Sequence, residues 1–268
     1  MNFKLSNFEL MNEVRAKKHL GQHFLKDEKI ALDIVKSLKH AASYKKVLEV
    51  GPGMGVLTKY LIAETAYETH IIDIDRDSIA YLKKNFPVLE NRIIEGDFLQ
   101  LDFNTLFDNQ PFAVIGNFPY NISTEILFKV LDHKNQVPEV VGMFQKEVAE
   151  RIAAKPRNKT YGITSVLLQV FYDIDYLFTV DASVFNPPPR VKSAVIRLTR
   201  NNVQQLDCNE KLFKQVVKAG FNQRRKTLRN ALKQFKFKPK HADNIYFPKR
   251  AEQLSVKDFT ELTNMIEG

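Results

Sequence analysis

Short apolar runs and amphipathic stretches alternate along most of this chain, and that alternation restricts the possible folds more than any other feature. The runs are KVLEV (46–50), THIIDI (69–74), NRIIE (91–95), PFAVIG (111–116) and EVVGMF (139–144), with helical patterns between them at 56–65, 76–85 and 122–132. Strand followed by helix, repeated, builds βαβ units, so an α/β fold with a Rossmann-like, mostly parallel sheet is predicted. Ahead of the first strand, Ile30, Ile34, Val35 and Leu38 share one face of a helix within 28–38. A further helical segment is expected near 145–154, and the apolar runs around 165–180 and 191–199 are expected to extend the same sheet. At NNVQQLDCNE (201–210) the pattern lapses into a polar linker, beyond which only short helices are predicted. Residues 1–26, basic and without a strong core pattern, read as an N-terminal arm. A length of 268 residues suffices for one large domain and a small appendage.

Charge points to a partner. Forty Lys and Arg against thirty-one Asp and Glu leave a net charge of +9, which favours a polyanion, nucleic acid first. The excess is concentrated: from Lys218 to Lys240 every ionised residue is basic. Phe221, Leu228, Ala231, Leu232 and Phe235 run through this stretch at helical spacing, so its cations are expected on a folded helix that can offer phosphates a fixed geometry. Arg224, Arg225, Lys226 and Arg229 are the candidate RNA contacts, with a merely solvated helix face as the plain alternative. No apolar run approaches the roughly 18 residues of a membrane span, so a cytoplasmic protein without membrane contact is expected. Cys208 is the sole cysteine and the six histidines lack ligand spacing, so neither a disulfide nor a structural metal is expected.

The first strand, KVLEV, runs directly into Gly51-Pro52-Gly53-Met54-Gly55 and then into a helical pattern. Ligands of open α/β sheets bind beyond the carboxyl ends of the strands, where glycines let backbone N–H groups approach. Position 56 is Val, so the third glycine of the dinucleotide fingerprint is missing and a nicotinamide oxidoreductase is disfavoured. Glu49 ends the first strand, and the second ends at Asp73, about 20 residues past the loop, where a carboxylate can hold ribose hydroxyls. This pattern looks like that of an S-adenosyl-L-methionine-dependent methyltransferase. At the end of the third strand, Asp97 can accept from the exocyclic amine of the cofactor adenine, with Phe98 beside it; an ordinary turn residue is the alternative there.

Strand PFAVIG leads into Asn117-Phe118-Pro119-Tyr120, which suggests a chemistry. The exocyclic amine of adenine is a poor nucleophile because its lone pair is delocalised into the ring. Two acceptors, Asn117 Oδ1 and the Phe118 backbone carbonyl, could take its two N–H protons and favour a pyramidal nitrogen. Tyr120 offers a ring face to an extruded base. A β-turn would use the same residue types, but this tetrapeptide falls on the rim that carries the glycine loop, Asp73 and Asp97.

With these residues in view, the chain resembles the small-subunit (16S) ribosomal RNA adenine N6,N6-dimethyltransferases of the KsgA type. The likeness spans nearly the whole chain and rests on six separate motifs in order: HLGQHFL (19–25), EVGPGMG (49–55), Gly96-Asp97, NFPYNIS (117–123), FNPPPRV (185–191) and FNQRRKTL (221–228). It implies dimethylation of two adjacent adenosines in the 3′-terminal hairpin loop of 16S rRNA, with S-adenosyl-L-methionine as cofactor, by a monomer acting on the assembling small subunit. It also implies roles: His23 and Leu25 close over the methionine end of the cofactor, Gly51 lines it, Asp73 holds the ribose and Asp97 the adenine. Asn117 would sit between cofactor and substrate, and Phe185 would stack on the target base opposite Tyr120. Many relatives carry Asn, Glu and Leu where this chain has His23, Asp73 and Phe118. The implied division is an arm at 1–26, a methyltransferase domain at 27–200 and a helical RNA-binding domain at 201–268. Two rivals remain: adenine N6-methylation of large-subunit rRNA or another nucleic acid, and a non-catalytic ribosome assembly factor.

Overall fold

The computed structural model describes residues Val14 to Glu267; the first half of the expected arm and the final residue lie outside the described residues. Two compact units are present, one formed by the chain up to Ala149 with Asp175–Arg200, the other by Glu150–Ile174 with the residues from Asn201 onward. Among the described residues no helix is long and apolar enough to cross a membrane.

The first unit is organised by a seven-stranded sheet. Its strands are β2 (Lys46–Val50), β3 (Glu68–Asp73), β4 (Ile93–Glu95), β5 (Phe112–Asn117), β6 (Glu139–Gln145), β7 (Tyr172–Val180) and β9 (Ser193–Arg200), ordered β4-β3-β2-β5-β6-β9-β7. Pairing is parallel from β4 through β6, and β9 runs antiparallel to β6. From β2 the chain steps outward to β3 and β4 on one side, then returns to place β5 and β6 on the other. At this reversal the loops that leave β2 and β5 diverge, which opens a crevice at the carboxyl ends of the strands.

Central strands here are covered on both faces, which is why KVLEV and FAVIG read as continuous apolar runs rather than as alternations. Helix α1 (Glu28–Val35) is capped by Asp27, whose carboxylate accepts from the Ile30 N–H, and it buries Ala31, Ile34 and Val35 against Val47, Ile115 and Val141. The helix α2 (Thr58–Leu61) is shorter than its pattern, whereas α3 (Arg76–Asn85) and α4 (Ser123–Asp132) match theirs closely. The arm is tied down where it is described. Its strand β1 (Phe24–Leu25) pairs antiparallel with β8 (Phe185–Asn186), so that Leu25 faces Phe185.

In the second unit the expected domain boundary is corrected. Helix α5 (Lys146–Ala153) runs into this unit, and residues 163–169 form a helix, α6 (Ile163–Gln169), rather than part of a strand. A short apolar run fits a buried helix as well as a buried strand, and tertiary contacts decide between them. Here Gln169 donates to the carbonyls of Ile152 and Ala154, while Tyr161 meets Phe221 edge-on at 5.9 Å. These contacts assign 150–174 to the unit that holds α7 (Glu210–Asn222), α8 (Leu228–Ala231) and α9 (Val256–Asn264). The expected single basic helix is also corrected: α7 stops at Asn222 and a turn through Gln223–Thr227 separates it from α8. Phe221, Leu228, Ala231 and Leu232 are buried as their spacing requires.

Candidate active site

The crevice at the strand reversal is a cleft lined by Gly51 and Gly53 from the β2 loop, Asp73 and Ile74 after β3, and Asp97 and Leu99 after β4. Asn117 to Ile122 after β5 and Leu20 to Phe24 of the arm complete it. Thus His23, Gly51, Asp73, Asp97, Asn117, Phe118 and Tyr120, seven of the nine residues singled out for catalysis and cofactor binding, line one cleft. Gly53 has a left-handed φ of 57°, and a Cβ there would lie 2.8 Å from the Phe24 ring. Glycine therefore lets the arm lie directly against the loop.

Burial shapes the acids. It pushes Asp73 up to about 6, an effect that the amides of Asp75, Gly53 and Ile74 oppose and the charge of Asp75 reinforces. Glu49, wholly buried at the end of β2, is likewise pushed up by burial, to about 8, although the Thr58 hydroxyl donates to it at 2.6 Å. Glu49 lines a small adjoining cavity together with Leu25, Gly51 and Asn117. The residues present suit an adenosyl ligand: a carboxylate for ribose hydroxyls at Asp73, an acceptor for an amine at Asp97, and aliphatic flanks from Ile74 and Leu99 for the ring faces.

Asn117 is oriented by its neighbour. Its Nδ2 donates to the His23 carbonyl at 2.8 Å. A carbonyl cannot donate, so the amide has one allowed orientation and its Oδ1 is left to accept. The side chain of Phe118 is fully buried against Phe144, in the room made by glycines at 116 and 142; a Cβ at 142 would lie 2.7 Å from Phe144 and overlap the Phe118 ring. Its contribution to the cleft is therefore backbone. Overpacking of this kind costs about 1–3 kcal/mol, so Gly142→Ala is expected to lower the melting temperature, and adding Phe118→Leu is expected to recover part of the loss.

Tyr120 hydrogen-bonds Ser193 through its hydroxyl at 2.5 Å and stacks on His23, ring centroids 5.4 Å apart. His23 Nδ1 lies 2.8 Å from the Pro187 carbonyl, which requires that nitrogen to carry the proton. The two rings stand between the cleft and a second groove bordered by Lys18, Gln145 and Pro187 to Val191. His23 thus separates two spaces instead of only covering one.

Three expectations are corrected here. Phe185 is 1% exposed and packs in the core beside Leu25, Ile115 and Met143, so its ring does not face Tyr120 across the cleft. Phe98 is buried against Phe103 and does not flank Asp97; Leu99 does, while Asp97 itself accepts from the Leu99 N–H at 2.8 Å. Leu25 is buried and borders the small cavity rather than the main cleft. Sequence reasoning missed Gln22, Ser193 and Asp75. Only Asp75 carried a local signal, as an Asp immediately ahead of an amphipathic helix.

The basic turn belongs to the second unit. Arg224 pairs with Glu252 at 2.6 Å and Arg229 with Asp243 at 3.3 Å, so two of the four candidate RNA contacts already have carboxylate partners. Arg225 and Lys226 are exposed and make no ion pair among the described residues. Lys226 also borders a shallow groove with Asn230 and Lys233.

Residues 13–267 match the family described as ribosomal RNA adenine dimethylase. A relative from Cytophaga hutchinsonii, described as ribosomal RNA small subunit methyltransferase A, is 65% identical over 258 residues, 96% of this chain and 100% of its own. One of the same description from Flavobacterium johnsoniae is 56% identical, covering 96% and 98%. Among solved structures, a dimethyladenosine transferase from Plasmodium falciparum superposes with a TM-score of 0.73 at 26% identity, over 91% of this chain and 99% of that one.

Proposed function

This chain belongs to the ribosomal RNA adenine dimethylase family, a family of rRNA-modifying methyltransferases, and from that premise we propose that it converts two adjacent adenosines in the 3′-terminal hairpin loop of 16S rRNA to N6,N6-dimethyladenosine. The observation that supports this reading best is the oriented amide of Asn117, placed on one cleft with Asp73, Asp97 and the Tyr120 ring. S-adenosyl-L-methionine, when bound, would supply an electrophilic methyl group on a sulfonium and leave as a neutral thioether. Asp73 would hold its ribose, Asp97 its adenine amine, and Gly51 would let the backbone approach.

Asn117 Oδ1 and the Phe118 carbonyl would accept the two N–H bonds of the target amine, drawing its lone pair out of conjugation. Tyr120, held by Ser193, would present its ring to the extruded base. Because the leaving group departs neutral, a strong base is not required, and the proton that the methylated amine must lose passes to water. The protein would act as a cytoplasmic monomer on the small subunit during its assembly. Mass mapping of small-subunit RNA from cells with and without the protein tests the reading: dimethyladenosine in the 3′-terminal hairpin loop is expected only when the protein is present. The same modification on large-subunit RNA instead would establish the rival substrate.

The basic turn is assigned to RNA phosphates. Each lost phosphate contact flattens the log–log salt dependence of binding by about 0.7 to 0.9. Replacing Arg225 and Lys226 by Gln is therefore expected to weaken subunit binding and to reduce that slope by about 1.4 to 1.8. Arg224→Gln, which first frees Glu252, is expected to change the slope less. Parallel slopes for all three proteins would leave the turn without an RNA role.

A further inference from the structure

We propose that Asp75 is a positioning residue that latches the arm across the cofactor cleft, so that its bonds to Lys17 and Gln22 gate entry and release of the adenosyl ligand. The inference rests on the function proposed above.

The Asp75 carboxylate is fully enclosed yet is not part of the cleft wall, which is formed on that side by Asp73 and Ile74. It caps α3 by accepting from the Asp77 N–H at 3.1 Å, and a cap needs no more than this. Two donors from the arm are added to it. Lys17 Nζ lies 2.5 Å from Oδ1 and Gln22 Nε2 2.8 Å from Oδ2. Burial alone would push the Asp75 carboxyl up, but these donors together with the Asp77 amide hold it below its ordinary value. Gln22 also accepts from the Lys17 N–H at 2.7 Å, which closes the turn at Gly21. One residue further on, the His23 carbonyl takes the Asn117 amide.

The segment Gly21–His23 is therefore held at two points, Asp75 on the ribose side of the cleft and Asn117 on the methyl-transfer side. Beyond it, β1 is fixed by pairing with β8. A ligand seated on Gly51 and Asp73 lies beneath this segment, and breaking the bonds to Asp75 frees its outer end. The Asp75 N–H also donates to Asp73 at 2.9 Å, so the latch and the ribose carboxylate share one loop.

Kinetics separate a gate from a residue that only shapes this loop. Association and dissociation rates of S-adenosylhomocysteine are to be measured by surface plasmon resonance on the full chain, with thermal melts as a check on folding. Asp75→Asn keeps an acceptor for the cap while removing the charge. Lys17→Met opens the latch while leaving the Asp75 cap of α3 in place, although it also removes the Lys17 ion pair with Asp77 at 2.7 Å. Both variants are expected to raise the association and the dissociation rate together by about tenfold, with the double variant no faster than either alone, as for two ends of one interaction. A rise in dissociation alone in both variants, or unchanged rates in Lys17→Met, overturns the latch. Failure of the wild-type chain to bind the probe overturns the function reading itself, and the latch with it.

Discussion

Asn117→Ala is expected to lower single-turnover methyl transfer to unmodified small subunits by a factor of roughly 10² or more, the usual loss when a hydrogen bond made only in the transition state is removed. The target amine must give up conjugation before it can attack, and the Phe118 carbonyl alone can take only one of its two protons. Affinity for RNA should change little, because phosphate contacts are assigned to the second unit. Asn117→Asp separates two contributions. It retains acceptor oxygens but places a carboxylate against the His23 carbonyl, which now receives an N–H at 2.8 Å. If the acceptor were all that mattered, this variant would remain active; loss in both variants ties the reaction to the oriented amide. Near-normal turnover by Asn117→Ala would remove it from the reaction.

The second large effect concerns the cofactor. Hydrogen bonds to a charged group contribute about 1.5–3 kcal/mol, so Asp73→Ala is expected to weaken S-adenosylhomocysteine binding by roughly ten- to a hundredfold in calorimetry. A pH dependence follows from the burial that raises Asp73 to about 6. Ribose hydroxyls favour the ionised carboxylate, so the ligand lowers the pKa of this group, and affinity should rise as pH climbs through about 6, then level off. For the empty protein the sign is opposite. A folded value above the unfolded one contributes stability that is present below about 4 and is lost as pH rises through about 6. Asp73→Asn should flatten the binding profile in this range. A wild-type affinity constant from pH 5 to pH 8 would exclude Asp73 from the ligand.

Several features could be read from local pattern alone. The parallel sheet follows from the length and composition of its apolar runs, and a parallel strand has only one end that faces a ligand crevice. Gly51, Asp73, Asp97 and Asn117-Tyr120 each sit at or just past the carboxyl end of a strand in the sequence, so their convergence on one rim was implied before any contact was known. The six ordered motifs likewise carried the family, whose description matches residues 13–267.

Tertiary structure decided the rest. A buried aromatic and a stacking aromatic are the same residue type, because a large ring serves a core and a base pocket equally well; only packing puts Phe185 and Phe98 inside and leaves Tyr120 at the cleft. Basic residues read alike whether solvated or paired, and Glu252 and Asp243 reach Arg224 and Arg229 from 28 and 14 positions away. Lys17 meets Asp75 across 58 positions, and Tyr120 meets Ser193 across 73. Periodicity tells each element which face is apolar, and so it determines the layers. It carries no information on which distant side chain arrives beside another, since that depends on the path of the whole chain through space.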